Sequence, residues 1–298
     1  MRLDGRRESS NVDDRRGGGG GFRLGGKGGF GIGAAIVIGL ITYFMTGDLN
    51  QAFHVASSSG DVTSVLTGQG NNSGGDYQPT AEEQELESFA KKVLASTEDV
   101  WTAEFEKMGK TYEPPTLVFF SGSVQSGCGG ASASTGPFYC SADQCVYIDL
   151  SFFTSMKSSL GADGDFAYAY VIAHEVGHHV QYLLGNLGKA HARMAQLPQS
   201  EANKVSVQIE LQADCFAGVW AHHEQQMFGS LEDGDLEEAI NAAQKIGDDY
   251  LQKNARGYAT PESFTHGTSA QRMRWLKKGL SSGDMSKGDT FSVPYNSL

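Results

Sequence analysis

The stretch VIAHEVGHHVQ, residues 171–181, holds side chains that can bind a metal ion and activate water. His174 and His178 are four residues apart, so on a helix they share one face about one turn apart. Glu175 follows the first histidine, where it can reach a water molecule rather than the ion. This is the H-E-x-x-H arrangement, with Glu175 as general base, and the chemistry it indicates is metal-assisted hydrolysis.

The alternative is a pair of core or surface histidines that bind no ligand. The preceding run, FAYAYVIA, predicts a buried helix, and burying two imidazoles and a carboxylate without partners would be costly. The sequence therefore favours a metal site, and zinc is the ion that this residue pattern indicates.

A catalytic zinc ion takes three protein ligands and keeps one position open. Glu210, in IELQAD, is the strongest candidate for the third ligand, because a carboxylate in the apolar middle of a second helix needs a partner. Asp214 lies one turn further along the same face, where it can accept a hydrogen bond from the outward nitrogen of a ligating histidine. A solvated acidic stripe is the alternative for both carboxylates. His179 points off the ligand face and His191 falls in a predicted loop, so we expect one zinc ion per chain, held by the histidine pair and Glu210.

Helices must carry these side chains, and the hydrophobic periodicity predicts them. The run DFAYAYVIAHEVGHHVQYLLG forms the central helix, and a third helix starts near Ser200 and passes through VQIELQADCFAGVWAHHEQQ. The other predicted elements are a first helix with a Thr80–Glu83 capping box, strands in PPTLVFFSG and QCVYIDLSFF, a fourth helix over DLEEAINAAQKIGDDYLQKN, and a last helix, GTSAQRMRWLKKGL, capped by Thr268 or Ser269. The predicted fold class is α+β: a mostly helical domain with a small sheet between the first and central helices.

The N-terminal region differs from this domain. Residues 1–27 carry seven basic and four acidic side chains and are rich in glycine, which predicts a disordered cytoplasmic segment. The net charge of the whole chain is −12, so the remainder is acidic. An acidic body would repel phosphates, which argues against nucleic acid as a partner.

Residues 28–47, GGFGIGAAIVIGLITYFMTG, are twenty residues without a charge, and as a helix they rise about 30 Å, the thickness of a bilayer core. They predict a single transmembrane helix. The basic residues before it place the N-terminus in the cytoplasm and the catalytic domain in the periplasm or outside the cell. Residues 48–79 are typical of a flexible linker, and residues 80–298 form the predicted catalytic domain. A cleaved signal peptide or a buried core helix is the alternative for residues 28–47.

Four cysteines fit an exported domain, where an even count suggests disulfides with three possible pairings. Cys128 and Cys140 would close a short loop rich in glycine and serine, and this pair is the first choice. A structural zinc site built from cysteines is the rival, although no C-x-x-C pair is present. Cys215 lies in an apolar helical pattern, as a small buried side chain would.

The segments HEVGHHVQ, ELQADCFAGVWA and FTHGTSAQRMRW, with GPFYCSADQCVYID upstream, resemble the bacterial neutral zinc metallopeptidase family. The resemblance runs from MRLDGRRESSNVDDRRG to GDTF and so covers nearly the whole chain. The helix pair is also similar to the wider gluzincin group, in which E-x-x-x-D follows H-E-x-x-H. The resemblance implies a zincin-like fold with zinc ligands His174, His178 and Glu210, the base Glu175, and Asp214 orienting a histidine.

The segment THGTSAQR is similar to the T-H-P-x-x-x-x-R segment of the membrane-linked gluzincins, with Gly267 where that pattern has proline. This resemblance implies that His266 stabilises the oxyanion and that Arg272 supports the substrate or the oxyanion. A capping or packing histidine is the alternative for His266.

These features predict a membrane-anchored zinc endopeptidase that hydrolyses peptide or protein substrates. The strand in QCVYIDL is predicted to lie at a sheet edge and to bind an extended peptide by strand addition. Two other classes stay open. One is a zinc-binding scaffold without activity, against which the intact Glu175 weighs, and the other is a metal-dependent amidase acting on a non-protein substrate of the cell envelope.

Overall fold

The computed structural model describes residues 1–17 and 77–298. The predicted membrane span, residues 28–47, lies outside the described residues, as does most of the predicted linker. In the two described ranges, no helix combines the length and the apolar character that crossing a membrane requires. The chain forms two compact units: unit 1 contains Met1–Ser10, Phe89–Pro115 and Ala162–Leu298, and unit 2 contains the described parts of Asn11–Ser88 and Thr116–Gly161.

Short strands form the sheets of unit 2. They are β1 (Val12–Asp14), β2 (Thr116–Phe119), β3 (Ser123–Ser126), β4 (Gly129–Ser132), β5 (Phe138–Cys140) and β6 (Cys145–Ile148). One sheet has the order β1-β2-β6-β5, in which β2 is parallel to β1 and β6, and β5 is antiparallel to β6. β3 and β4 form a separate antiparallel hairpin. The predicted strands in PPTLVFFSG and QCVYIDLSFF are β2 and β6, so both are confirmed.

β6 lies inside its sheet, with β2 on one side and β5 on the other. Its backbone N–H and C=O groups therefore already face two neighbours, and the prediction that it binds a peptide as an edge strand was wrong. The cause is β5, a strand of three residues, FYC, which is too short for alternation to predict.

A disulfide joins Cys128 to Cys140 in unit 2, as predicted. Cys140 also belongs to an apolar cluster that consists of Val118, Phe120, Ala131, Phe138, Cys140, Cys145 and Tyr147. Cys145 and Cys215 are buried free thiols, and in the described part of the chain no group suited to a metal ion contains a cysteine. The rival interpretation of the cysteines as a zinc site was therefore wrong.

Helices dominate unit 1 and position the candidate site. The α-helices of the described residues are α1 (Ala81–Lys107), whose first turns belong to unit 2, α2 (Ser151–Ser155), which lies in unit 2, α3 (Asp165–Leu183), α4 (Asn186–Met194), α5 (Gln199–Phe228), α6 (Asp235–Lys245), α7 (Asp248–Arg256) and α8 (Ser269–Ser282). α5 packs against α3, α4 and α8. One apolar cluster joins α5 to later parts of the chain and consists of Val207, Leu211, Cys215, Phe264, Trp275 and Leu298.

α3 and α5 approach each other closely at Gly177. A Cβ atom on this residue would lie 3.0 Å from the backbone oxygen of Ala213. Because glycine has no side chain, the two helices can pack at this distance one residue before His178. α5 and α8 meet in a similar way where Gly279 faces the backbone of Cys215.

Both predicted helix caps are confirmed. Glu83 N donates to Thr80 Oγ1 at 3.2 Å, and Thr80 N donates to Glu83 Oε2 at 2.8 Å, which is a capping box at the start of α1. Thr268 begins α8 with the same arrangement toward Gln271. The central and third predicted helices correspond to α3 and α5, so the α+β architecture with mostly helical content is confirmed.

Two helix predictions were wrong. The predicted fourth helix is two helices, α6 and α7, because the chain turns at Gly247, where it packs directly against the backbone of Ser269 and has no room for a side chain. The predicted loop around His191 is the helix α4, which follows a left-handed turn at Gly185. Its many exposed polar residues conceal the helical period.

Residues 1–17 are ordered, so the predicted disorder was wrong for this part of the N-terminal segment. The Met1 amino group donates a hydrogen bond to Asp165 at 2.7 Å, and Arg6 donates to Glu224 at 2.8 Å. β1 extends the sheet of unit 2. The charged residues that suggested a solvated tail instead pair with carboxylates 164 and 218 positions along the chain, which no local pattern reveals.

Candidate metal centre

Two histidines of α3 and one carboxylate of α5 converge in unit 1. His174 Nε2 lies 3.1 Å from one oxygen of Glu210, and His178 Nε2 lies 3.5 Å from the other. The three ligand atoms lie within 4.8 Å of one another. A tetrahedral zinc ion with bonds of about 2.0–2.1 Å holds its ligand atoms about 3.3 Å apart. The structure therefore brings the three predicted ligands together in an arrangement that fits zinc.

Asp214 lies behind His174 and is completely buried. Its Oδ1 lies 2.8 Å from His174 Nδ1 and accepts a hydrogen bond from the Tyr170 hydroxyl at 2.6 Å. Burial would raise the pKa of Asp214, but Arg272 and His174 lower it to about 2. The ionised carboxylate accepts the Nδ1–H of His174, which leaves the Nε2 lone pair of that histidine directed at the ligand cluster. This placement matches the role predicted for Asp214.

Arg272 holds this carboxylate from the other side. Its Nε donates to Asp214 Oδ2 and its Nη2 donates to Asp214 Oδ1, both at 2.9 Å. The same Nη2 lies 3.2 Å from the Tyr170 hydroxyl. Only 2% of Arg272 is exposed, so the guanidinium cannot reach a substrate and the predicted role in substrate or oxyanion support was wrong. It is a buried bidentate partner of Asp214.

Gln181 gives His178 an equivalent partner that the sequence analysis missed. Its side-chain oxygen lies 2.9 Å from His178 Nδ1, and its amide nitrogen donates to the backbone oxygen of Ile209 at 2.7 Å. Because the amide nitrogen is used in this way, the oxygen faces His178 and accepts its Nδ1–H. Gln181 follows His178 by three residues on one helix face, so the spacing in HHVQ was an available signal.

The charges of the cluster favour a cation. Burial lowers the pKa of His174, but Asp214 and Glu210 outweigh it and raise that pKa to about 9. The pKa of His178 is raised as well, because Glu210 outweighs burial. Burial raises the pKa of Glu210, but His178 and His266 hold it well below its usual range. Positive charge is therefore stabilised at the Nε2 atoms, where a metal ion would bind.

Glu175 is buried next to the cluster, and the three-residue ligand group does not include it. Burial raises its pKa, while His178 and His174 lower it by a smaller amount. A general base is most effective when its pKa approaches the working pH. The position and the direction of this shift both suit the predicted role of Glu175.

The remaining histidines of the sequence analysis separate into two groups. His266 is buried in the loop before α8 and lowers the pKa of Glu210, so its imidazole lies within electrostatic reach of that ligand. His179 points away from the cluster, as predicted, with its Nε2 at 2.6 Å from the backbone oxygen of Glu113. His191 is exposed on α4 and is not part of the ligand group.

Comparison with known proteins agrees with this chemistry. A family model described as "Putative neutral zinc metallopeptidase" matches residues 1–291 of the chain. The uncharacterized protein YpfJ of Escherichia coli (strain K12) is 50% identical over 299 residues, which cover 98% of this chain and 99% of that protein. The uncharacterized protein Rv2575 of Mycobacterium tuberculosis (strain ATCC 25618 / H37Rv) is 41% identical over 215 residues, which cover 69% of this chain and 72% of that protein. No solved structure matches the chain significantly.

Proposed function

We propose that this chain, which belongs to the neutral zinc metallopeptidase family, is a zinc-dependent endopeptidase. The observation that carries the proposal is the convergence of His174, His178 and Glu210 at distances that fit a tetrahedral ion. The substrate is a peptide or protein, and one zinc ion is bound per chain.

The residues around the metal site have separate roles in the proposed hydrolysis. When bound, zinc would lower the pKa of water to about 7 and polarise the scissile carbonyl. Glu175 accepts a proton from the attacking water and passes it to the leaving nitrogen. Because burial raises its pKa, the protonated form that Glu175 takes between these two steps is accessible. Asp214 and Gln181 fix the tautomers of the two histidines, so that both Nε2 atoms stay directed at the ion.

We propose that the catalytic domain works in an oxidising compartment, and the Cys128–Cys140 disulfide supports this. Met1–Ser10 belongs to the same unit as Ala162–Leu298, which supports placing both on one side of any membrane. A single crossing by residues 28–47 would separate these two segments, which argues against the predicted cytoplasmic N-terminus and single-pass orientation. Membrane attachment through residues 28–47 stays a prediction.

The substitution Glu175→Gln tests the mechanism. Glutamine keeps the shape of the side chain but cannot accept the proton, so peptide hydrolysis should fall by ~100-fold or more, the scale of losing a general base. Zinc content, measured by elemental analysis of the full-length chain, should stay at the wild-type level. Glu106→Gln, at an exposed glutamate of α1, is the matched control and should keep full activity.

Equal rates of peptide cleavage in wild type and Glu175→Gln would reject the proposed mechanism. If both proteins hold zinc and neither cleaves any peptide in a library, the scaffold or amidase class replaces the endopeptidase. Release of amide-linked envelope fragments would then separate those two classes.

A further inference from the structure

We propose that Asp248 is a positioning residue that holds His266 at the metal centre, where this histidine donates a hydrogen bond to the developing oxyanion. The inference deepens the proposed peptidase function and rests on it. No sequence motif pointed to Asp248. It emerges from three observations, which concern the loop that it shapes, its unpartnered oxygen, and the position of that loop on α5.

Asp248 begins α7 and is completely buried. Its Oδ2 accepts hydrogen bonds from three consecutive backbone N–H groups, those of Thr265 at 2.8 Å, His266 at 2.7 Å and Gly267 at 2.9 Å. Its own N–H donates to the backbone oxygen of Gly267 at 2.9 Å. Hydrogen bonds to a carboxylate are stronger than those between neutral groups. One oxygen atom therefore fixes the backbone of the loop that carries the histidine.

The other carboxylate oxygen, Oδ1, is buried and accepts no hydrogen bond. His266 Nδ1 lies 3.5 Å from it, and 2.9 Å from the Thr265 hydroxyl. A buried carboxylate oxygen without a donor is costly, and a shift of a few tenths of an ångström would bring Nδ1–H to hydrogen-bond distance. In the proposed pair Nδ1–H donates to Asp248, and Nε2–H, on the other side of the ring, donates to the oxyanion.

The loop lies on the part of α5 that carries Glu210. A Cβ atom on Gly267 would lie 3.2 Å from Val207 Cγ1 and 3.4 Å from Leu211 Cδ2, two residues that flank Glu210. An electrostatic interaction with His266 also helps to lower the pKa of Glu210. The imidazole whose Nδ1 faces Asp248 is thus close to the ligand cluster, as an oxyanion donor must be.

Gly267 explains how the loop reaches this shape. Its φ is +93°, which proline, restricted to about −65°, cannot adopt. Glycine enters this region without strain, and the turn directs successive N–H groups into a concave anion-binding arrangement. The departure from the T-H-P pattern is therefore accommodated by a loop that is organised around the Asp248 carboxylate instead of a proline ring.

A double-mutant cycle on the zinc-loaded full-length chain tests the proposal. His266→Ala should lower kcat by ~100-fold, the scale of losing one oxyanion donor. Asp248→Asn should lower kcat by about 10-fold, with KM and zinc content unchanged, because it acts only through the histidine. The double variant should then match His266→Ala alone. Asp249→Asn is the matched control: this neighbouring carboxylate binds Ser269 and should leave kcat at the wild-type level.

An unchanged kcat in Asp248→Asn, or a double variant slower than His266→Ala by the full Asp248→Asn factor, would overturn the proposal. A second measurement uses the wild-type chain and so remains valid if Asp248→Asn does not fold. In nitrogen-15 histidine spectra assigned with His266→Ala, His266 should show a strongly deshielded Nδ1 proton bonded to a carboxylate. Its absence overturns the pairing. Failure to cleave any peptide would instead reject the peptidase function, since the spectra report the pair without catalysis.

Discussion

Unit 1 contains two fully buried aspartates, Asp214 and Asp248, and each lies next to a histidine. Asp214 is engaged on both oxygens, by the Arg272 guanidinium, the Tyr170 hydroxyl and the imidazole of His174. Asp248 is engaged on Oδ2 by three backbone N–H groups, while its Oδ1 accepts no hydrogen bond.

The two carboxylates differ in the number of engaged oxygens, and the two histidines differ in the step at which each is needed. A metal ligand must be oriented before the ion binds, and Asp214, itself held by Arg272 and Tyr170, orients His174. An oxyanion donor is needed only as negative charge develops on the substrate. Oδ2 of Asp248 binds the backbone around His266, and Oδ1 would accept a hydrogen bond from the imidazole after a small movement of the ring.

The largest expected effect concerns Arg272. In Arg272→Ala the Asp214 carboxylate keeps its burial but loses its bidentate cation, and breaking a buried ion pair in this way typically costs about 3–5 kcal/mol of unfolding free energy. Chemical denaturation of the zinc-free chain measures this. Arg274→Ala, two residues along α8 and exposed, is the matched control and should cost less than about 1 kcal/mol. Equal losses in the two variants would show that Asp214 is not rigidly held.

Zinc affinity should distinguish the two carboxylates. Asp214→Asn keeps the size of the side chain but weakens the acceptor for His174 Nδ1–H, so affinity should fall by ~10–100-fold. Asp248→Asn should leave affinity unchanged, because His266 is not among the ligand residues. Competition with a chelating dye measures both. A similar loss in the two variants would remove the distinction between a ligand-orienting and a donor-orienting carboxylate.

The last effect is a pH dependence of zinc affinity that only the ligand histidines should produce. The pKa of zinc-free His174 is raised to about 9 and that of His178 is raised too, so near pH 7 zinc must displace protons. Affinity should therefore rise with pH, by about tenfold per unit for each proton released, until pH approaches about 9. His179, with a pKa lowered to about 4, should contribute nothing. Calorimetry in two buffers of different ionisation enthalpy counts the protons, and a count of zero would contradict the prediction.

The sequence pattern was sufficient to predict the site residues that lie on the long helices α3 and α5. His174 and His178 share one face of the central helix, and Asp214 follows Glu210 by one turn on a second helix, so helical spacing places each pair. Glu210 was identified because a carboxylate in an apolar helix needs a partner. Gln181 obeys the same helical spacing and was overlooked.

Asp248 could not have been found in this way. Its partners are 17 to 19 residues further along the chain, and the break before α7 at Gly247 depends on packing against Ser269. β1 escaped prediction for a related reason, since its partner strand starts at Thr116 and its own three residues include two aspartates.

The two positions between Glu175 and His178 are written as variable in the H-E-x-x-H pattern, yet neither is free in this fold. Val176 is completely buried, and a Cβ atom on Gly177 would lie closer to the backbone of α5 than ordinary van der Waals contact allows. In a mutagenesis library at these positions, larger residues would push α3 away from α5 and so separate His178 from Glu210. A designer who transplants the ligands onto another helix pair must therefore transplant the interhelical spacing with them.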